Sequence, residues 1–571
     1  MIRLPLRASR RALVTALAGP FLVATACTGQ NRPGSAPRAA PGTGRDISPA
    51  DLRMRLFALA HDSMMGRMTG EAGNAKAAEY VAAEFRRLGL EPAGEGGTYF
   101  QTVPFYRIGV DERASRLTAN GTALEMGRDF LPLSPRIAWR LSGSGEIPVV
   151  FGGVATDSST WIPADQAAGK IVVLGLPGSP SRDLANRGLV MRLVRHPRFA
   201  RAAAVAIPQL DRYGPEVVAR IRGGETTLDT ARLDIPAPLA ISPRAASVLL
   251  GADPASLQPG AMGATVRGSI ASTMGPLPFP ARNVVAVFRG ADPALRAQYL
   301  SLTGHNDHVG FDHAPVDHDS LRAYNRVVRP MGADSPLREP TAEEAPRIRA
   351  LLDSLRRLHP PRLDSIRNGA DDDGSGTVAL LEIAERLAGG PRPRRSILFV
   401  SHTAEEIGLV GSRWFTDHAT VPVDSIVGEI DMDMIGRGGR DDLPDAGPQY
   451  LEVIGAKRNS VEFGEILEAV NARQPLPFAF NYEYDRPGHP LQYYCRADHY
   501  SYARYNIPAV AFSRGEHLDY HQVTDEPQYI DYDALARVAR FVHDAALELA
   551  NLDHRPKTDR PKGDPRAPCR Q

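Results

Sequence analysis

Ser396-Ile397-Leu398-Phe399-Val400-Ser401-His402-Thr403-Ala404-Glu405-Glu406-Ile407-Gly408 is a short apolar run that ends on two acids and a glycine. An unbroken apolar stretch of that length reads as a strand covered on both faces, the kind found in parallel sheets flanked by helices. The acids then fall just beyond the strand's carboxyl end, where open α/β sheets carry their sites. Side chains of adjacent residues diverge, so Glu405 and Glu406 can serve different partners. An acid pair is more often a solvated surface; behind a buried strand it becomes a candidate site.

Working outward, the chain repeats this logic. Strand signals at Asn283–Phe288, Tyr299–Thr303, Ile426–Asp433 and Ala509–Phe512 alternate with helical ones. Residues 75–88 place Ala77, Val81, Phe85 and Leu88 on one helical face, and Gly89 supplies a stop. Thr377–Leu387 and 532–549 are further helices. The alternation predicts an α/β fold, a mostly parallel or mixed sheet sandwiched by helices. Residues 140–270 depart from it, with short strands at Ile147–Phe151, Lys170–Leu174, Ala203–Ile207 and Pro238–Ile241, and read as a β-rich insertion. Residues 311–367 form a second insertion, helix-prone and charged from Arg338 to Pro360, expected to face solvent. This divides the mature chain into 48–139, 140–270 and 271–550, with 551–571 as a disordered tail.

Histidines and carboxylates stand where these strands end. Tyr299–Thr303 runs into His305, with Asp307 two residues on as an acceptor for its imidazole. Asp371-Asp372-Asp373-Gly374-Ser375-Gly376 opens the 377–387 helix, its small residues allowing a tight turn. Asp433 ends its strand, with Asp431 as a competitor two residues back. His521 follows in Asp519-Tyr520-His521. Imidazole and carboxylate suit zinc, and two metals about 3.5–4 Å apart can share one water and acidify it. The aspartate triplet lacks the periodic oxygen ligands of a calcium loop. His308, Asp312, His313, Asp317, His318 and Asp319 crowd the loop after His305 and are expected to be solvated rather than metal-bound.

The five motifs in this order resemble the dizinc aminopeptidase family, which also holds glutamate carboxypeptidases, glutaminyl cyclases and the transferrin receptor. The resemblance spans residues 48–550. It implies a zinc-exopeptidase (phosphorylase/hydrolase-like) fold, two Zn2+ per chain and peptide substrates. It further implies Asp372 as the bridging ligand, followed by a cis peptide. His305 and Asp433 would serve one zinc, Glu406 and His521 the other, with Glu405 as general base and Tyr520 as donor to the oxyanion. Asp498 and His499, in Arg496-Ala497-Asp498-His499-Tyr500, resemble the family's substrate-pocket segment. Gly169–Leu174 and Pro236–Ser242 resemble an inserted protease-associated domain, expected to wall the cleft or to serve as architecture. The leading expectation is removal of N-terminal residues from peptides. A carboxypeptidase or dipeptidase of the same fold would need a cation aimed at a substrate carboxylate, for which Arg437, Arg486, Arg496 and Arg514 are available. A non-catalytic receptor-like module has no reason to keep five ligands and a base, and a one-zinc glutaminyl cyclase does not need them all.

Whole-chain properties bound the rest. The 571 residues carry 67 basic and 66 acidic side chains, which argues against nucleic acid as partner. Three cysteines, Cys27, Cys495 and Cys569, are too few for a disulfide scaffold or a cysteine metal site. Arg3, Arg7, Arg10 and Arg11 precede a short apolar run from Ala12 to Ala26, a signal peptide. Val23-Ala24-Thr25-Ala26-Cys27 resembles a lipoprotein cleavage box, so residues 1–26 would be removed and Cys27 lipidated, with the Pro/Gly-rich stretch to residue 47 as tether. Apart from this lipid anchor no membrane contact is expected. The expected address is the bacterial cell envelope, or the extracellular space.

Overall fold

The structure, a computed structural model, describes residues 43–136, 145–176, 187–440, 442–443 and 446–571. The signal-peptide and Cys27 readings lie outside them.

A nine-stranded mixed sheet forms the centre. Its order is Glu91–Pro92, Ala281–Phe288, Ser396–His402, Tyr299–His305, Ile426–Met432, Ala509–Ser513, Tyr450–Ile454 and Ala479–Asn481, with Phe100–Val103 also pairing Ala281–Phe288. Tyr299–His305 lies parallel to both its neighbours, and Ile426–Met432 lies parallel to Ala509–Ser513. Successive side chains alternate between faces. Val284, Ala286, Ile397 and Phe399 join the cluster built by the helices Pro49–Leu59, Ala72–Arg87, Gly376–Ala388, Val461–Ala472 and Tyr532–Asn551. Val285, Val287, Leu398 and Val400 join the opposite cluster with Phe415 and Tyr502, from the short helices Val410–Asp417 and His499–Ala503. Each such Val, Leu, Ile or Phe side chain, wholly withdrawn from water, contributes about 1.5–3 kcal/mol. The α/β reading therefore holds, and a strand buried on both faces is what Ser396–His402 turns out to be.

Between Phe100–Val103 and Ala281–Phe288, which pair through Val103 and Ala281, the chain leaves to form a second nine-stranded sheet. It runs from Tyr106 to Pro276, so the insertion begins well before the expected residue 140. Its two longest strands, Tyr106–Ala119 and Met262–Pro276, pair antiparallel along most of their length. Charged residues along the first, such as Asp111, Glu112, Arg113 and Arg116, hide its strand character from an apolar-run reading. The insertion also carries the helices Arg187–Val194, Pro215–Arg222 and Pro243–Leu250, so it is less purely β than expected.

Two further expectations are corrected. Residues 552–571 are not a disordered tail: Cys569 is bonded to Cys495, and the Gln571 amide donates to the Tyr484 and Arg486 carbonyls. The insertion 311–367 contains a helix, His318–Val328, besides Glu344–Arg356, and is not a solvent-facing excursion. Asn325 donates to the Leu518 carbonyl at 2.9 Å, Arg322 meets Asp519 at 3.2 Å, and the Ala333 N–H donates to the Tyr520 carbonyl at 3.1 Å. It therefore packs on the loop that carries His521.

Candidate metal centre and active site

Every expected ligand lies at the carboxyl edge of the central sheet. His305 is the last residue of its strand and 2% exposed. Asp433 follows Met432 by one residue and extends the pairing, its N–H donating to the Phe512 carbonyl at 3.1 Å. Glu405 and Glu406 follow Ser396–His402, and His521 follows Ala509–Ser513. Asp372 sits in the turn before Gly376–Ala388, and the Asp372–Asp373 peptide is cis, as the resemblance implied. The turn needs Gly376, where a Cβ would lie 1.9 Å from the Met432 carbonyl oxygen.

Asp372 is the hub. Its Oδ1 lies 3.2 Å from His305 Nε2, and its Oδ2 lies 2.9 Å from His521 Nε2. Asp433 Oδ1 is 3.7 Å from His305 Nε2, and Glu406 Oε2 is 2.9 Å from His521 Nε2. Two donor groups result, His305–Asp372–Asp433 and His308–Asp372–Glu406–His521, sharing one carboxylate. Asp371 and Asp373 belong to neither. Asp371 Oδ1 accepts from the Gly436 N–H at 2.6 Å, and Asp373 Oδ2 accepts from the His305 N–H at 2.9 Å, so both fasten the loops around Asp372. Asp431 is also excluded; it accepts from Thr303 Oγ1 at 2.7 Å, beneath the site.

His308, set aside in the sequence as a loop residue, is buried and belongs to the second group. Its Nδ1 lies 2.8 Å from Glu406 Oε1, and its ring packs against Gly369, whose φ of +56° and missing side chain make room for it. Asp307 lies beside the His305 imidazole, its carboxylate Oδ1 3.6 Å from Nδ1, and it also braces the Glu405 loop. His305 Nδ1 faces the Asp307 backbone carbonyl at 3.2 Å, while the Asp307 carboxylate accepts from the Glu405 N–H at 3.1 Å and from Thr69 Oγ1 at 2.9 Å. Asp498 and His499 are not on the pocket rim. Both are buried behind it, and the His499 N–H donates to Asp431 at 3.3 Å.

Arg67, legible in the sequence only as part of an opening helical segment, is fully buried. It donates to the carbonyls of Asn306, Asn368 and Gly369 at 3.1, 2.5 and 2.8 Å, clamping the His305 loop to the Asp372 turn.

The donor set fits metal ions. His305 Nε2 and Asp433 Oδ1 are buried and form no hydrogen bond, although they face each other across Asp372. Asp372, Glu405, Glu406 and Asp433 crowd together, and buried like charges of this kind need compensating cations. Burial, with Glu406 and Asp433 nearby, holds the Glu405 carboxyl well above the usual carboxylate range in the absence of metal.

The cavity beside these groups, about 390 Å³, is lined by Asp372, Glu405, Glu406, Asp433, Tyr520 and His521, and also by Asp334, Glu452, Tyr493, Arg496 and Glu516. Asp334 comes from the 311–367 insertion; among the described residues the 106–276 insertion contributes none of the lining. The expected cleft wall is thus supplied by the other insertion. Glu452 was detectable in principle, as an acid inside the apolar strand Tyr450–Ile454.

Residues 283–546 match the sequence profile of Peptidase family M28. This segment belongs to that family. Within this segment the two donor groups around Asp372 suit a pair of zinc ions. Among curated relatives, Leucine aminopeptidase 1 of Paracoccidioides brasiliensis (strain Pb18) is 31% identical over 195 residues, 32% of this chain and 46% of that protein. A Probable zinc metalloprotease of Pyricularia oryzae is 29% identical over 220 residues, 32% of this chain and 42% of that protein. The chain thus spans about half the length of the curated relatives it matches. The solved zinc aminopeptidase of Bacillus subtilis, BSAP, aligns over 88% of this chain and 95% of its own at 16% identity, with a TM-score of 0.45.

Proposed function

We propose that the chain is an exported zinc aminopeptidase that removes N-terminal residues from peptides. The observation that carries this reading is that, among the described residues, the cavity lining holds no arginine or lysine free to meet a substrate carboxylate. Asp334, Glu452 and Glu516 line it against one arginine, Arg496, which is already paired with Asp334 at 2.6 Å. The other arginines a carboxypeptidase could use are committed elsewhere. Arg437 binds Asp442 and Asp519, Arg514 donates to backbone carbonyls, and Arg486 pairs with Glu483 outside the cavity lining. A cavity without a free cation leaves a substrate's C-terminal carboxylate unpaired, which counts against the carboxypeptidase reading.

Zinc held by the two donor groups would supply Lewis acidity at the scissile carbonyl and an acidified water. Glu405, which belongs to neither group, would take the proton of the attacking water and deliver it to the departing nitrogen. Tyr520 lines the cavity, and its hydroxyl is held by burial well above its ordinary pKa, so it stays protonated and can donate to the oxyanion. Arg496 Nη2 lies 3.3 Å from that hydroxyl and orients it. The Cys495–Cys569 bond supports the exported address, since such bonds persist in oxidising compartments. We extend the proposal to a lipid anchor at Cys27.

The test is release of nitroaniline from amino-acid anilides, compared with release of the C-terminal residue from N-blocked peptides. Anilide cleavage that chelators abolish and zinc restores is expected. Cleavage confined to the blocked peptides would overturn the reading.

A further inference from the structure

One arm of the cavity holds carboxylates that the catalytic reading leaves unused. Glu452 is 1% exposed. Its Oε1 accepts from the Tyr450 hydroxyl at 2.6 Å, and its Oε2 has no hydrogen-bond partner. Glu516 is 6% exposed; its Oε2 is likewise without a hydrogen bond, and its Oε1 lies 3.6 Å from Arg496, whose guanidinium is nearer to Asp334. The two glutamates share Tyr484 and Tyr493 as neighbours. Gly515, at φ +87°, packs directly on Glu452: a Cβ there would lie 2.5 Å from Leu443 Cδ1 and 2.9 Å from Glu452 Oε1. Ile454, Ala497 and Ala511 give the same cavity an apolar wall.

An apolar wall leading to two buried, unpartnered carboxylate oxygens matches one kind of side chain, a methylene stem with a cationic head. Resting on the aminopeptidase reading, we propose that this arm receives the side chain of the substrate's N-terminal residue and selects lysine and arginine. The stem lies along Ile454, Ala497 and Ala511, and the head joins Glu452 Oε2 and Glu516 Oε2. Empty, the arm is only partly ionised near neutral pH: burial pushes Glu452 up to about 7 and Glu516 up to about 8, with Tyr450, Tyr484, Tyr493, Asp334 and Arg496 as the titratable and charged groups that face them. An arriving cation lets both ionise. An uncharged side chain leaves the same oxygens buried and unpaired, which is how polar pockets reject apolar substrates.

The zinc-loaded full chain is assayed on lysyl, arginyl and norleucyl anilides, norleucine matching the lysine stem without its charge. The wild type should favour lysine and arginine by about 10²-fold in kcat/KM. Glu452→Gln and Glu516→Gln should each lose about tenfold or more on the cationic substrates and stay within about threefold of wild type on norleucine. A wild-type preference for norleucine overturns the selection and leaves the aminopeptidase reading standing. An equal loss on all three overturns it too, because the glutamates would then serve the α-ammonium or the fold. Should a variant not fold, calorimetry on the wild type decides: L-lysine must bind more tightly than L-norleucine. If no anilide is cleaved while N-blocked peptides lose their C-terminal residue, the aminopeptidase reading itself falls, and this inference with it.

Discussion

Glu405 and Glu406, neighbours in the chain, reach different histidines. Glu406 Oε2 lies 2.9 Å from His521 Nε2, whereas Glu405 Oε2 lies 3.9 Å from His305 Nε2. Glu406 belongs to a donor group and Glu405 does not. Their amide variants should therefore fail differently. Glu405→Gln keeps size and hydrogen bonding but cannot accept a proton, so kcat should fall by about 10²–10⁴ with zinc retained. Glu406→Gln removes a donor, so zinc occupancy should fall with activity. Measuring kcat and bound zinc in both variants checks the division; an active Glu405→Gln enzyme would refute it.

His308 holds Glu406 Oε1 at 2.8 Å while Oε2 of the same carboxylate meets His521. Losing such an orienting partner typically costs 10–100-fold in metal affinity, by about that factor here. His308→Ala should release one zinc at lower chelator concentration and leave the His305–Asp372–Asp433 zinc as in wild type. Wild-type retention of both ions would show that His308 does not support the second group.

Arg67 donates to four carbonyls of the two loops that deliver His305 and Asp372, those of Asn306, Asn368, Gly369 and, at 3.4 Å, Asp372. Arg67→Met leaves those carbonyls buried without a donor and removes a cation from among Asp307, Asp372, Asp373 and Asp525. A loss of about 3–5 kcal/mol is expected, seen as a lower urea midpoint. Arg67→Lys should recover only part of it, since a single ammonium lacks the planar fork.

The tail offers a separate test. The Cys495–Cys569 bond closes a loop of 74 residues, and Cys495 lines the cavity. Cys569→Ser should lower stability by about 2–5 kcal/mol in non-reducing urea titrations, and a reductant should bring the wild type to the same midpoint. A midpoint unmoved by either would mean the strap contributes nothing.

Five of the nine central strands were legible because each is an apolar run, which needs no partner to be recognised; Glu91–Pro92, Phe100–Val103, Tyr450–Ile454 and Ala479–Asn481 are short or interrupted by polar residues and were not. The five ligands were legible through the resemblance of their motifs: His305, Asp433 and the acid pair follow such runs and Asp372 opens the next helix, while His521 lies in a loop. What escaped depends on contacts distant in sequence. His308 and the loop residues around it look alike; His318 and Asp319 are buried too, against expectation, and only contact with Gly369 and Glu406, roughly 60 and 100 residues away, sets His308 among the donors around Asp372. Tyr106–Ala119 was missed because half its residues are polar, and only its pairing with Met262–Pro276 makes it a strand. Asp498 and His499 share a motif with cavity residues, but the turn into His499–Ala503 points them into the protein.

Glu452 gives the chain a pH signature of its own. Burial raises its carboxyl from the ordinary 4.5 to about 7 in the folded protein. Below about pH 4.5 the group is protonated in folded and unfolded chains alike, and its contribution to stability is fully present. As pH rises further the unfolded chain ionises while the folded one holds its proton, so stability falls until the folded group titrates near 7. The total loss is on the order of 3 kcal/mol. Glu452→Gln keeps an acceptor for the Tyr450 hydroxyl and has nothing to ionise. Urea titrations of wild type and Glu452→Gln from pH 4.5 to 8 should show the variant gaining on the wild type as pH rises and levelling above about 7. Zinc binding varies with pH in the same way for both proteins and cancels in the difference. A difference that is flat across this range would mean Glu452 is ionised in the empty cavity, already neutralised by a cation in its place.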